Sequence, residues 1–103
     1  VYDRALTDDA GALAQLQAAA DRRLIAFCEG LTPEDLARRV TTERRGESVT
    51  ERIADLLPHL FQHQVHHRGQ AHVQLSQAGV APPQLDDFFL DFGRVPSAAG
   101  YPR

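Results

Sequence analysis

The chain contains few or none of several residue types, and each of these absences excludes a class of protein. One cysteine, Cys28, cannot form an internal disulfide, which fits a protein of the reducing cytoplasm. No apolar run approaches the roughly 18 residues that a membrane-spanning helix needs. A net charge of -3 and a pI near 5.9 argue against general binding to nucleic acid or to anionic membranes. Methionine is absent and the chain starts at Val1, so we expect this chain to be part of a longer protein.

The length of the chain and the composition of its C-terminal tail limit the number of domains that it can form. With 103 residues there is room for one domain, 1–103, with a small core. Residues 93–103 contain Pro96, Gly100 and Pro102, which predicts a loosely ordered tail. No linker or internal repeat suggests a second domain.

All 5 histidines fall within residues 59–72, on a segment with helical periodicity. At about 100° per residue, His67 lies beside the centre of the apolar stripe and His63 lies one turn earlier. Imidazoles at i and i+4 can place ring nitrogens on a single ion, and neutral imidazole suits zinc or nickel. The competing interpretation is a solvated helix surface, because a useful site needs a third protein ligand. The stripe comprises Ile53, Leu56, Leu57, Leu60, Ala71 and Leu75.

Residues 60–70, with the pattern H-x-x-H-H-R-G-Q, and residues 77–86, ending in P-P-x-L-D, closely resemble the end of the DinB (damage-inducible, YfiT-like) family. The resemblance implies an all-α fold of the up-down four-helix-bundle type, commonly homodimeric. This chain would supply two long helices, a short helix and, where the pattern allows, a small hairpin. Many members hold a divalent metal on three histidines, one from the second helix and two from an H-x-x-x-H pair in the last.

Transferred to this sequence, the resemblance assigns the two last-helix metal ligands to His63 and His67. His66, Arg68 and Gln70 become candidates for supporting positions beside the ion, although His66 and Arg68 equally fit a solvated surface. Some branches of the family are thiol-dependent transferases that use low-molecular-weight thiols, and others are called hydrolases. The resemblance therefore implies a metal-dependent transferase or hydrolase acting on a small molecule.

The same resemblance exposes a gap, because no histidine precedes His59 to act as the first ligand. We expect the family's first two helices to be missing here, with missing N-terminal helices or a second copy of the chain completing the bundle. The alternative is a non-catalytic, dimeric helical interaction module with an incomplete metal site. DNA binding, which the family label suggests, is disfavoured by the acidic net charge.

The remaining patterns predict the elements around the histidines. A helix should run from about Asp8 to Glu29, and Thr32-Pro33 should open a short helix that ends near Arg39. Residues 40–47 fit either a hairpin turning at Arg45-Gly46 or an irregular loop.

A capping box, Ser48 with Glu51, predicts the start of the last helix, which should run to about Ala78 and close at Gly79. Pro58 should kink or locally break this helix without dividing it in two. The apolar residues 85–92 should fold back on the bundle or on a partner.

Overall fold

The computed structural model describes residues 5–85, 90–94 and 96–100, and this part of the chain is mostly helical, as predicted. The chain divides into two compact units, Val1–Leu56 and Leu57–Arg103. Within the described ranges, no helix is both long and apolar enough to cross a membrane. In chain order the elements are α1 (Ala10–Glu29), α2 (Pro33–Ala37), β1 (Arg39–Arg44), β2 (Glu47–Arg52), α3 (Ile53–Gln77) and a 3₁₀ helix (Pro96–Gly100).

Helix α1 begins where an acidic residue caps it. The Asp9 carboxylate accepts a hydrogen bond from the backbone N–H of Ala12 at 2.6 Å, so one of the unpaired amides of the first turn is satisfied. The helix thus starts slightly later than the predicted Asp8. It ends at Glu29, as predicted, and the N–H of Gly30 donates to the carbonyl of Ala26.

Helix α2 is set by a full capping box. The Thr32 hydroxyl accepts from the N–H of Asp35 at 3.2 Å, and the Asp35 carboxylate accepts from the N–H of Thr32 at 3.0 Å. Pro33 occupies the first turn, where its missing N–H costs nothing. The predicted end near Arg39 is too late, because that residue already begins β1.

Residues 39–52 form an antiparallel hairpin, and the alternative of an irregular loop is wrong. Arg44 pairs with Glu47, so the loop consists of Arg45 and Gly46, with φ of 52° and 80°. Two successive positive φ values define a type I′ turn, whose twist matches that of the strands. The register continues to Arg39 opposite Arg52.

The predicted start of the last helix at Ser48 and Glu51 is wrong, since both residues lie in β2. The cross-strand ladder outcompetes the capping box: the Glu51 carboxylate lies 3.2 Å from the Arg44 guanidinium, across the hairpin. The N–H of Ile53 donates to the carbonyl of Arg38, which extends the pairing by one residue. Helix α3 therefore begins at Ile53, whose side chain is buried.

Helix α3 runs as one continuous helix through Pro58, so the prediction of an undivided helix is confirmed and the alternative of a locally broken turn is wrong. Its end is a Schellman motif. The N–H of Val80 donates to the carbonyl of Leu75 at 2.9 Å, and the N–H of Gly79 donates to that of Ser76 at 3.1 Å. Gly79 has φ of 77°, which confirms its predicted role as the closing residue.

The segment after α3 is described in part. Residues 86–89 of the predicted apolar tail lie outside the described residues, and Phe92 is 91% exposed. Residues 96–100 form a 3₁₀ helix. The Arg94 guanidinium donates to the carbonyl of Ala98 at 2.7 Å, and Ala98 is buried.

Candidate metal centre

The histidine pair singled out by its spacing lies in the middle of α3. The Nε2 atoms of His63 and His67 are 3.0 Å apart, and the ring centroids are 4.4 Å apart with nearly perpendicular planes. Two nitrogens bound tetrahedrally to one zinc ion, each at about 2.0–2.1 Å, would lie about 3.3 Å apart. The pair therefore has close to the spacing that a shared ion requires. Both side chains are exposed in the single chain.

Gln70 fixes the orientation of one of these rings. Its Oε1 lies 2.8 Å from Nδ1 of His67, three residues earlier on the same helix. Because a carboxamide oxygen only accepts, Nδ1 of His67 carries the proton and Nε2 keeps a lone pair. In the chain without an ion, that lone pair accepts from Nε2–H of His63. The supporting position that the sequence suggested for Gln70 thus has a definite contact.

The other histidines and Arg68 occupy different positions. The His66 ring centroid is 5.2 Å from that of His67, without a hydrogen bond between the rings. The His59 ring stacks on His63 at 5.7 Å. Arg68 lines a cavity on another side of α3, so the structure does not bring it to the histidine pair.

Electrostatics favour the neutral, metal-binding form of His63. Partial removal of the ring from water lowers its pKa below the usual 6.5, and repulsion from His67, His59 and His66 lowers it further. A histidine must be neutral to bind a metal ion. The crowding of imidazoles therefore keeps His63 available as a ligand at lower pH than an isolated histidine.

A third ligand is not present within residues 5–85, 90–94 and 96–100, where no three histidine, cysteine, aspartate or glutamate side chains form a group able to hold a metal ion. Cys28, the one free thiol, lies half-buried on α1 and in the other compact unit. Within these residues the candidate site consists of the imidazoles of His63 and His67. The contact of Gln70 was the detail that spacing alone did not specify, although its i+3 position relative to His67 was a signal.

Fold and site together define a helical protein with a paired-imidazole candidate metal centre on its last long helix. Comparison with known families gives a specific assignment: the model of the DinB family matches residues 2–94. The chain therefore belongs to the DinB family, a helical and generally metal-associated family. Searches of curated proteins and of solved structures gave no match.

Proposed function

We propose that this chain is a DinB-like divalent-metal-binding protein in which His63 and His67 ligate one ion, zinc or nickel. The observation that carries the proposal is the convergence of their Nε2 atoms to 3.0 Å on one face of α3. Membership of a family that is generally metal-associated supports it.

The residues present suit such an ion. Neutral imidazole is a good ligand for zinc and nickel, and the Gln70 amide holds His67 in the tautomer that presents Nε2 outward. His63 would bind through Nε2 after its proton moves to Nδ1, so the pair need not acquire charge. Second-sphere hydrogen bonds of this kind typically raise metal affinity by about 10- to 100-fold.

An ion held by two imidazoles would have open coordination positions, and these could bind a thiol or a water molecule. A bound ion would lower the pKa of a thiol or water ligand and so generate a nucleophile at neutral pH. We propose transfer of a low-molecular-weight thiol to a small molecule as the reaction class, with hydrolysis as its close relative. The chain's own contribution is to hold and orient the ion through His63, His67 and Gln70.

We further propose that helices other than those described in this chain pack against α1 and α3, supply the third ligand and complete a four-helix bundle. Exposure of both imidazoles leaves room for it. A second copy of the chain in a homodimer, or helices that precede this segment in a longer product, would both meet this requirement.

Metal analysis of protein purified without a histidine tag tests the ligand assignment. The unaltered chain should retain a divalent ion, and the double variant His63→Ala, His67→Ala should lose it. The matched control is His59→Ala, His72→Ala, which removes the same number of imidazoles from the same helix and should keep the ion. Equal metal content in the unaltered chain and the His63, His67 variant would overturn the assignment.

A second candidate is a non-catalytic, dimeric helical interaction module with an incomplete metal site. Exposed apolar side chains along both long helices favour it: Leu13, Leu16, Ile25 and Phe27 on α1, and Phe61, Val65, Val73 and Leu75 on α3. On this proposal a chelator leaves the oligomer intact and no thiol-transfer or hydrolytic activity appears with added metal. Metal-dependent turnover that requires His67 would exclude it.

A further inference from the structure

An open cavity of about 670 Å³ lies between α3 and the segment that follows it, entirely within the second compact unit. Its volume falls in the range of roughly 300–1,000 Å³ that is usual for small-molecule sites. The lining residues come from two short stretches, Val65, Arg68, Gly69 and His72 on α3 and Pro82, Pro83, Gln84 and Leu85 after it. The cavity therefore joins the two stretches that carry the family's sequence pattern.

The wall of this cavity has one strong cation. Arg68 makes no ion pair or hydrogen bond with another residue in the described part of the chain. A guanidinium group presents a planar fork of N–H donors that matches a carboxylate bidentately. His72, one turn further along α3, adds a second polar group on the same wall.

Apart from Arg68, His72 and Gln84, the wall is apolar and has space at its centre. Val65, Pro82 and Leu85 contribute hydrocarbon surface, and none of them can hydrogen-bond a ligand through its side chain. A Cβ added at Gly69 would meet no atom within 4 Å, so the missing side chain leaves the helix backbone open to the cavity. Such a wall suits a ligand with an apolar body beside its charged end.

The cavity is separate from the histidine pair. His72 follows His63 by nine residues, about two and a half helical turns, so the two side chains leave α3 on opposite sides. We propose that this cavity is a binding site for a small molecule that carries a carboxylate on an apolar body. Arg68 holds the carboxylate, and the apolar body packs over Gly69 against Val65, Pro82 and Leu85.

Titration of the full chain with hexanoate, followed by the backbone amide NMR signals, tests this site. Hexanoate should bind at millimolar concentration and shift the signals of Val65, Gly69 and His72. Two control compounds should each bind about tenfold more weakly. Hexanamide has the apolar body but lacks the negative charge, and inorganic phosphate has the charge but lacks the apolar body. Equal binding of hexanoate and either analogue, or no binding of hexanoate, would overturn the proposal.

Two variants locate the site within the cavity. Arg68→Gln should weaken hexanoate binding about tenfold, whereas the control Arg23→Gln on α1 should not change it. Gly69→Leu should fill the cavity and abolish binding while making α3 more stable, since leucine is a better helix former than glycine. Unchanged affinity in either cavity variant would contradict the proposal.

The proposal stands independently of the metal site. Hexanoate binding should be the same before and after treatment with a chelator, and in the His63→Ala, His67→Ala variant. Loss of hexanoate binding on metal removal would assign the carboxylate to the ion and overturn the role of Arg68.

Discussion

At the scale of single residues, Gln70 decides which nitrogen of His67 an ion can reach. Its Oε1 engages Nδ1 at 2.8 Å, so Nε2 is left for a ligand. We predict that Gln70→Ala lowers zinc affinity about tenfold, because the ring loses both its tautomer bias and its fixed orientation. Competition with a chromophoric chelator measures this loss.

Two further variants separate orientation from general damage to the helix. Gln70→Glu also accepts a hydrogen bond from Nδ1–H and should restore affinity, whereas Gln74→Ala, one turn away, should have no effect. Zinc affinity that is the same in the Gln70→Ala variant and in the unaltered chain would show that the contact does not orient a ligand.

The lowered pKa of His63 gives a second prediction. Partial exclusion from water and the neighbouring imidazoles both disfavour the charged ring, so the metal-free chain should protonate His63 only below the usual 6.5. Protonation of His63 should therefore begin to compete with metal binding only as the pH falls below this lowered pKa. Titration of the ring protons by NMR measures the midpoint.

Removing His67 tests the origin of that shift. His67→Ala eliminates the largest repulsive charge and should raise the pKa of His63 toward 6.5. His72→Ala is the control, because His72 is not among the groups that repel His63. A His63 midpoint at or above 6.5 in the unaltered chain contradicts this account of the cluster.

The sequence predicted the identity of the paired histidines but not their contact. The i, i+4 spacing follows from helix geometry, and any helix through residues 63–67 places the two side chains on one face. Whether Nε2 of each ring turns toward the other depends on side-chain torsions, which spacing does not determine. The role of Gln70 and the separation of Arg68 from the pair required the structure for the same reason.

At the scale of elements, the two-residue turn at Arg45-Gly46 determines the hairpin that precedes α3. Both residues have positive φ, which arginine adopts at a cost and glycine adopts freely. We predict that Arg45→Asn stabilises the chain by a few tenths of a kcal/mol and that Gly46→Ala destabilises it by about 1 kcal/mol. Urea unfolding measures both changes.

The loss of stability in Gly46→Ala should come entirely from the unfavourable positive φ, since an added Cβ would meet no atom within 4 Å. Arg45→Lys keeps both the charge and the unfavourable φ, so its stability should equal that of the unaltered chain. Destabilisation by Arg45→Asn would show that another feature holds the hairpin together.

Element boundaries show where local sequence reasoning fails. The box formed by Ser48 and Glu51 satisfies the local rule for a helix start, yet both residues pair in β2. The register that the Arg45-Gly46 turn imposes pairs all six residues of β2 with β1 and forms backbone hydrogen bonds at alternate pairs, whereas a capping box satisfies two backbone donors. The signals at Thr32 and Gly79 predicted the observed helix boundaries because, among the described residues, neither position pairs with a strand.

At the scale of the whole molecule, far more large apolar side chains are exposed than are buried among the described residues. Among the described residues, Ile53 and Ala98 are the buried hydrophobic side chains, while both long helices carry large exposed ones. So much exposed apolar surface is unusual for a monomer. We predict that the chain self-associates, and sedimentation velocity should find a dimer or larger species at micromolar concentration.

An apolar stripe on α1 offers a matched test of that association; it comprises Leu13, Leu16, Ala20, Leu24 and Phe27. Leu13→Gln with Leu16→Gln replaces two exposed apolar residues of the stripe and should shift the sedimentation equilibrium toward monomer. The control pair Gln15→Ala with Arg22→Gln changes exposed polar residues on the opposite side of α1 and should leave association unchanged. A stable, folded monomer of the unaltered chain would contradict the proposal that a second copy completes the bundle.

The most direct test of the metal centre is X-ray absorption at the zinc edge of the full chain loaded with one equivalent of zinc. The predicted spectrum contains imidazole nitrogens at about 2.0–2.1 Å, with two of them lost in the His63→Ala, His67→Ala variant and none lost in the His59→Ala, His72→Ala control. An imidazole contribution that is unchanged in the first variant, or lost in the control, would show that the ion is not held by the pair on α3.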